Sequence, residues 1–192
     1  MFVENIKGDL MKTNIEIEFK TAIPEETYYK LLKEFNLENN IFKQTNYYFD
    51  TDNYDLMNQE IVLRIRLKPN GHYKVTLKSQ GDYQAFESHV ILKAEQALSM
   101  IENGFYTNVF FKDTDYFVTF KASLENHRVS TPYENGTLFL DRCDYHGITD
   151  YEVEYEAIDY ETGKRVFEDF LSKHGVENIP TKRKSQRALK RV

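Results

Sequence analysis

From Asn14 to Thr21 the chain alternates apolar and charged residues. On a strand this places Ile15, Ile17 and Phe19 on one face and Glu16, Glu18 and Lys20 on the other. The same two-residue period recurs in 61–68, where Leu63, Ile65 and Leu67 oppose Arg64, Arg66 and Lys68. In 72–79, Tyr73, Val75 and Leu77 oppose Lys74, Thr76 and Lys78, and Pro69-Asn70-Gly71 joins these two strands as a hairpin. In 150–158, Tyr151, Val153 and Tyr155 oppose Glu152, Glu154 and Glu156. Further strands are predicted over 41–50, 82–92, 117–130 and 137–145.

Helical spacing of Tyr28, Leu31, Leu32 and Phe35, with acids in the first turn, predicts a helix over 25–37. Two more helices are expected over 93–103 and 162–174, stopped by Gly104 and Gly175. Residues 51–59 read as a turn-rich connection, and 105–115 fit neither period. No repeat, linker or break in composition interrupts the pattern, which gives a single domain over 14–192 after an N-terminal extension of 1–13. Sequential strands with short turns point to an α+β chain, mostly antiparallel β, built as a barrel or sandwich.

Alternation alone describes an ordinary half-buried sheet with one wet face. The distribution of sign changes that picture. The charges on each strand are mostly of one sign, whereas a merely solubilising surface mixes signs. Arg64, Arg66, Lys74 and Lys78 lie on adjacent strands, where like charges repel unless an anion is bound between them. Glu152 and Glu154, two residues apart, would gain from a divalent cation, and hard carboxylate oxygens suit Mg²⁺ or Mn²⁺.

Composition excludes several functions. The 192 residues carry a formal charge of -6, which argues against nonspecific DNA or acidic-membrane binding. Fourteen Tyr, fourteen Phe and 41% apolar residues suffice for a core and favour strands. The single cysteine, Cys143, forbids an internal disulfide and fits a reducing cytoplasm. No apolar run approaches the ~20 residues that span a bilayer, and the N-terminus lacks the apolar centre of a signal peptide. The five histidines are scattered without metal-ligand spacing, and no phosphate-binding G-x-x-x-x-G-K-[ST] loop occurs. The basic tail from Thr181 reads as solvated.

Glu16-Ile17-Glu18-Phe19-Lys20 matches an ExExK pattern, followed in order by LRIR, YKVTLK, Glu87, Arg128, Asp141, the Glu152/Glu154 pair and Lys184 with Arg187. This ordered set resembles the CYTH family, the triphosphate tunnel metalloenzymes, and is most similar to its small stand-alone bacterial members. The resemblance implies an eight-stranded, open-ended antiparallel barrel with a few flanking helices, its charges lining a tunnel. It implies that Lys20, Arg64, Arg66, Lys74, Lys78, Arg128 and Lys184 bind phosphate oxygens, with Lys182 competing for the place of Lys184. Glu16, Glu18, Asp141, Glu152 and Glu154 would hold Mg²⁺ or Mn²⁺, and Glu87 would orient tunnel bases. Glu16, Glu18, Lys20, Arg64, Arg66 and Glu154 form the expected catalytic set. The implied partner is a small-molecule triphosphate or nucleotide, with no DNA and no membrane, and a homodimer stays open. Hydrolysis of an inorganic or organic triphosphate is the leading activity; adenylate cyclase chemistry and a noncatalytic polyphosphate- or nucleotide-binding module are the alternatives.

Overall fold

A computed structural model of the chain describes residues 12–80 and 84–190. Most of the extension predicted over 1–13 lies outside these residues. In chain order the elements are β1 (Lys12–Ala22), α1 (Glu25–Glu34), β2 (Phe42–Asp50), α2 (Asp55–Asn58), β3 (Ile61–Leu67), β4 (Tyr73–Gln80) and β5 (Ala85–Leu92). They continue with α3 (Ala94–Asn103), β6 (Phe105–Tyr106), β7 (Phe117–Tyr133), β8 (Gly136–Tyr145), β9 (Ile148–Ala157), α4 (Tyr160–His174) and α5 (Lys184–Leu189).

The sheet runs β2-β3-β4-β5-β1-β9-β8-β7, and antiparallel pairing of β2 with β7 closes it into an eight-stranded barrel. β6 is a two-residue ninth strand on the edge of β7. β1 makes closure possible by dividing its length: Lys12 to Glu16 pair with β5, and Ile17 to Ala22 pair with β9.

The apolar faces of the strands point outward, and helices cover them. On one side Tyr28, Leu31 and Leu32 of α1 and Phe167, Phe170 and Leu171 of α4 pack over Val129, Leu138, Leu140, Val153 and Tyr155. On the other, Leu56 of α2 and Ala97 and Met100 of α3 pack over Phe49, Leu63, Ile65, Val75 and Val118. Apart from a small inner cluster of Tyr48, Ala122, Leu124 and Cys143 closed by Ala188 of α5, the hydrophobic effect acts outside the barrel wall, which frees the rest of the inner face for charge.

Close approach governs one docking contact. A Cβ on Gly163 in α4 would lie 2.4 Å from the Ala157 Cβ and 2.7 Å from the Phe19 ring. Gly163→Val is expected to lift α4 off β1 and β9 and cost about 1–3 kcal/mol by overpacking, read as a lower urea midpoint.

Two stretches depart from the sequence reading. The connection 51–59 contains α2, organised by Asp50, whose carboxylate accepts the backbone N–H groups of Thr51, Leu56 and Met57 at 2.8–3.0 Å. The basic tail is not solvated throughout. It folds into α5, with Lys184, Ser185 and Ala188 buried. Among the described residues no helix is long and apolar enough to cross a membrane.

Candidate active site

The strand register turns the charged faces into one interior. Arg66 stands opposite Lys74, Lys78 opposite Glu87, Lys20 opposite Glu154, Glu152 opposite Asp141, and Asp141 opposite Arg128. Arg64, Arg66, Lys74 and Lys78 of β3 and β4 line one wall of a cavity of about 680 Å³, with Glu16 and Glu18 of β1 and Glu154 of β9 across it; Asp141 and Glu152 lie fully buried beside Glu154. Lys184 and Arg183 enter the same cavity from the start of α5. Lys184, not Lys182, enters: Lys184 is buried and Lys182 exposed.

Most of these charges are paired. Glu87 takes Lys74 Nζ at 3.1 Å and Arg64 Nη2 at 3.4 Å. Burial alone would raise its pKa, but Arg64 and Lys74 outweigh that and bring it down to about 2. Lys78 donates to Glu16 at 2.7 Å, and Lys20 to Glu18 at 3.1 Å. Desolvation opposes the charge on Glu18, yet Lys20, Lys78 and Lys184 bring it down to about 2 as well. Arg66 differs from its neighbours. Its Nε donates to Asn46 Oδ1 at 2.7 Å, and among the described residues no carboxylate lies within ion-pair distance. Burial, with Arg64 and Arg128 nearby, pushes its pKa down to about 9.

The acidic end is denser. Asp141, Glu152 and Glu154 are all buried, and one oxygen from each lies within 4.8 Å of the others. Arg128 donates through Nε to Asp141 at 2.7 Å, also contacts Glu154, and stacks 4.4 Å over the Phe139 ring. Lys184 Nζ lies 2.8 Å from Asp141 and 2.6 Å from Glu154 and contacts Glu152. Arg187 bridges Glu152 and Asp150, the latter at 2.8 Å. Burial works against ionised Asp141, but Arg128 and Lys184 hold its carboxyl below the usual range. For Glu154, burial and the neighbouring Glu18 outweigh Arg128, and its pKa rises to about 7.

Three of the five carboxylates proposed as metal ligands are thus brought together, and their hard oxygens suit a divalent cation. Glu16 and Glu18 lie further along β1, paired with Lys78 and Lys20. Asp150 was not among the expected site residues, and Arg187, part of the ordered motifs, carried no expected role. Asp150 was legible as the next inward position before Glu152. Cys143 also faces inward beside Asp150 but is fully buried, and burial pushes its thiol up to about 12.

Comparison with known proteins agrees with this architecture. The CYTH domain family model matches residues 14–189. A Bacillus subtilis (strain 168) protein named "Putative triphosphatase YjbK" is 34% identical over 180 residues, covering 91% of this chain and 94% of its own. The crystal structure of a "putative adenylate cyclase" from Bacillus halodurans superposes with a TM-score of 0.83 at 30% identity, over 91% of this chain and 97% of that one. HpAC1 from Hippeastrum shares the fold with a TM-score of 0.72 at 21% identity, over 92% and 94% of the two chains. A closed eight-stranded barrel with a sign-segregated interior, matched over 14–189, means that this chain belongs to the CYTH family.

Proposed function

We propose that the chain hydrolyses triphosphate compounds inside the barrel with the help of Mg²⁺ or Mn²⁺. One observation carries this reading: bases and acids face each other across a single cavity, the polarity needed to hold a polyphosphate and its counter-ion together. The similarity to a protein named as a triphosphatase supports it.

Arg64 and Arg66 offer planar forks to phosphate oxygens, and Lys20, Lys74 and Lys78 act as mobile point charges. Glu87 keeps Arg64 and Lys74 oriented toward the cavity. Arg128, stacked on Phe139, holds its position at the junction of the basic and acidic walls. Asp141, Glu152 and Glu154 would hold the divalent ion, with Glu16 and Glu18 as further carboxylates along the tunnel. When bound, that ion supplies charge neutralisation and a water of lowered pKa. The P–O bond to the terminal phosphoryl group breaks as water adds to its phosphorus. Cys143 stays a thiol and needs no covalent role. A single, buried cysteine fits a cytoplasmic setting.

The test is a panel of inorganic tripolyphosphate, ATP, thiamine triphosphate and long-chain polyphosphate, each with Mg²⁺ or Mn²⁺, read by phosphate release and by cyclic AMP. Metal-dependent phosphate release from triphosphate compounds is the expected outcome. Cyclic AMP from ATP would select the cyclase, and tight binding without turnover would select the binding module.

A further inference from the structure

Lys184 meets the same three carboxylates that form the candidate metal cluster. Its ammonium lies 2.8 Å from Asp141 Oδ2 and 2.6 Å from Glu154 Oε1 and touches Glu152 Oε1. These are the residues whose oxygens lie within 4.8 Å of one another. An ammonium in that tripod and a divalent ion on the same oxygens exclude each other, by space and by like charge.

We infer that Lys184 is an internal stand-in for the metal: it neutralises the acidic cluster whenever no divalent ion is bound, and it must leave for one to bind. This deepens the reading given under Proposed function and rests on it. Among the described residues, Arg128, Arg187 and Lys184 contact the cluster carboxylates, and of these Lys184 is the least anchored. Arg128 is anchored by two contacts to Asp141 and by its stack on Phe139. Arg187 is held by Asp150 and Glu152 together. The Lys184 ammonium, by contrast, ends a flexible four-carbon stem, and among the described residues its ion-pair partners all belong to the cluster. Its helix stays docked without it, through Arg187, the buried Ala188 and the 2.6 Å contact of the Ala188 carbonyl with His146 Nε2.

Lys184 also lines the cavity shared with Arg64, Arg66 and Lys74. A triphosphate there gives the ammonium new oxygens and draws it off the cluster. Metal and triphosphate therefore assist each other through Lys184, beyond their direct attraction, and by linkage the effect is reciprocal.

Mn²⁺ binding to the full chain, measured by electron paramagnetic resonance without any triphosphate, separates the possibilities. Lys184→Met keeps the length of the stem and removes the charge. It should bind Mn²⁺ about tenfold more tightly or better than the parent, within the usual range for coupled sites. Lys184→Arg, which keeps the charge, should not. Unchanged or weaker Mn²⁺ binding by folded Lys184→Met, while Glu152→Gln loses the ion, would overturn the competition and leave the metal assignment standing. Absence of Mn²⁺ binding in every protein, with or without tripolyphosphate, would overturn the metal assignment and this inference with it. If Lys184→Met unfolds without metal, recovery by Mn²⁺ but not by Na⁺ at equal ionic strength supports competition, and no recovery counts against it.

Discussion

Glu154→Gln should reduce metal-dependent phosphate release by about a hundredfold or more while leaving the folded protein at least as stable above pH 7. Glu154 is buried, shares the acidic cluster with Asp141 and Glu152, and contacts both Arg128 and Lys184. Gln keeps its shape but can never supply an anionic oxygen to a metal. The stability half follows from linkage. Ordinary glutamate ionises near 4.5, whereas burial and the neighbouring Glu18 lift Glu154 to about 7 in the folded chain. Between those two pH values the folded state keeps a proton that the unfolded state has lost. The contribution of this group is therefore fullest below pH 4.5 and is lost as pH rises through 7. Gln removes that dependence, so its stability relative to the parent should grow from pH 4.5 to 7 and then level off. Urea unfolding in chelator at pH 5 and pH 8, with phosphate release on tripolyphosphate, reads both halves. Full hydrolytic activity in the variant would remove Glu154 from the metal set.

A gain in stability combined with a loss of activity is the mark of a site held against its own folding preference. Strand alternation showed part of this. The sequence assigns Glu16, Glu18 and Lys20, or Arg64 and Arg66, to one face each, because a period of two leaves only two faces. It does not say which face is inside. Outward Leu63, Ile65 and Val153 look like any sheet core until α1, α4, α2 and α3 are seen to bury them from outside.

The order of motifs indicated the barrel; periodicity alone left barrel and sandwich equal. α5 was least legible. Its lysines and arginines resemble a solvated tail, since their partners Asp141, Asp150, Glu152 and Glu154 lie at least thirty residues earlier in the chain. No local pattern encodes such a pairing. Residues 105–115 were ambiguous for a related reason. They form β6, a single helical turn at Thr107–Val109 and irregular chain, too short for either period. α2 was hidden because its N-terminus is organised by one side chain, Asp50, rather than by an apolar repeat.

Arg66→Ala should lower kcat/KM on tripolyphosphate by roughly 10- to 150-fold, the equivalent of one charge-assisted contact of about 1.5–3 kcal/mol. Its effect should exceed that of Lys74→Ala or Lys78→Ala, and ion pairing explains the order. Lys74 is held by Glu87 at 3.1 Å and Lys78 by Glu16 at 2.7 Å, so each gives up a partner before it can serve a phosphate. Their net gain on binding is reduced by what they leave. Among the described residues Arg66 leaves no carboxylate: it keeps Asn46 on Nε and has its terminal nitrogens for the ligand. It also carries repulsion from its neighbours, since burial and the nearby Arg64 and Arg128 bring its pKa down to about 9. Triphosphate relieves that repulsion, so binding gains twice at this residue. Removing the side chain should therefore spare the fold of the empty protein while it weakens the complex. Parallel kinetics on the three alanine variants, with urea midpoints for each, test the order. Equal losses at all three positions, or a larger loss at Lys74, would show that the tunnel responds to total positive charge and not to the unpaired guanidinium of Arg66.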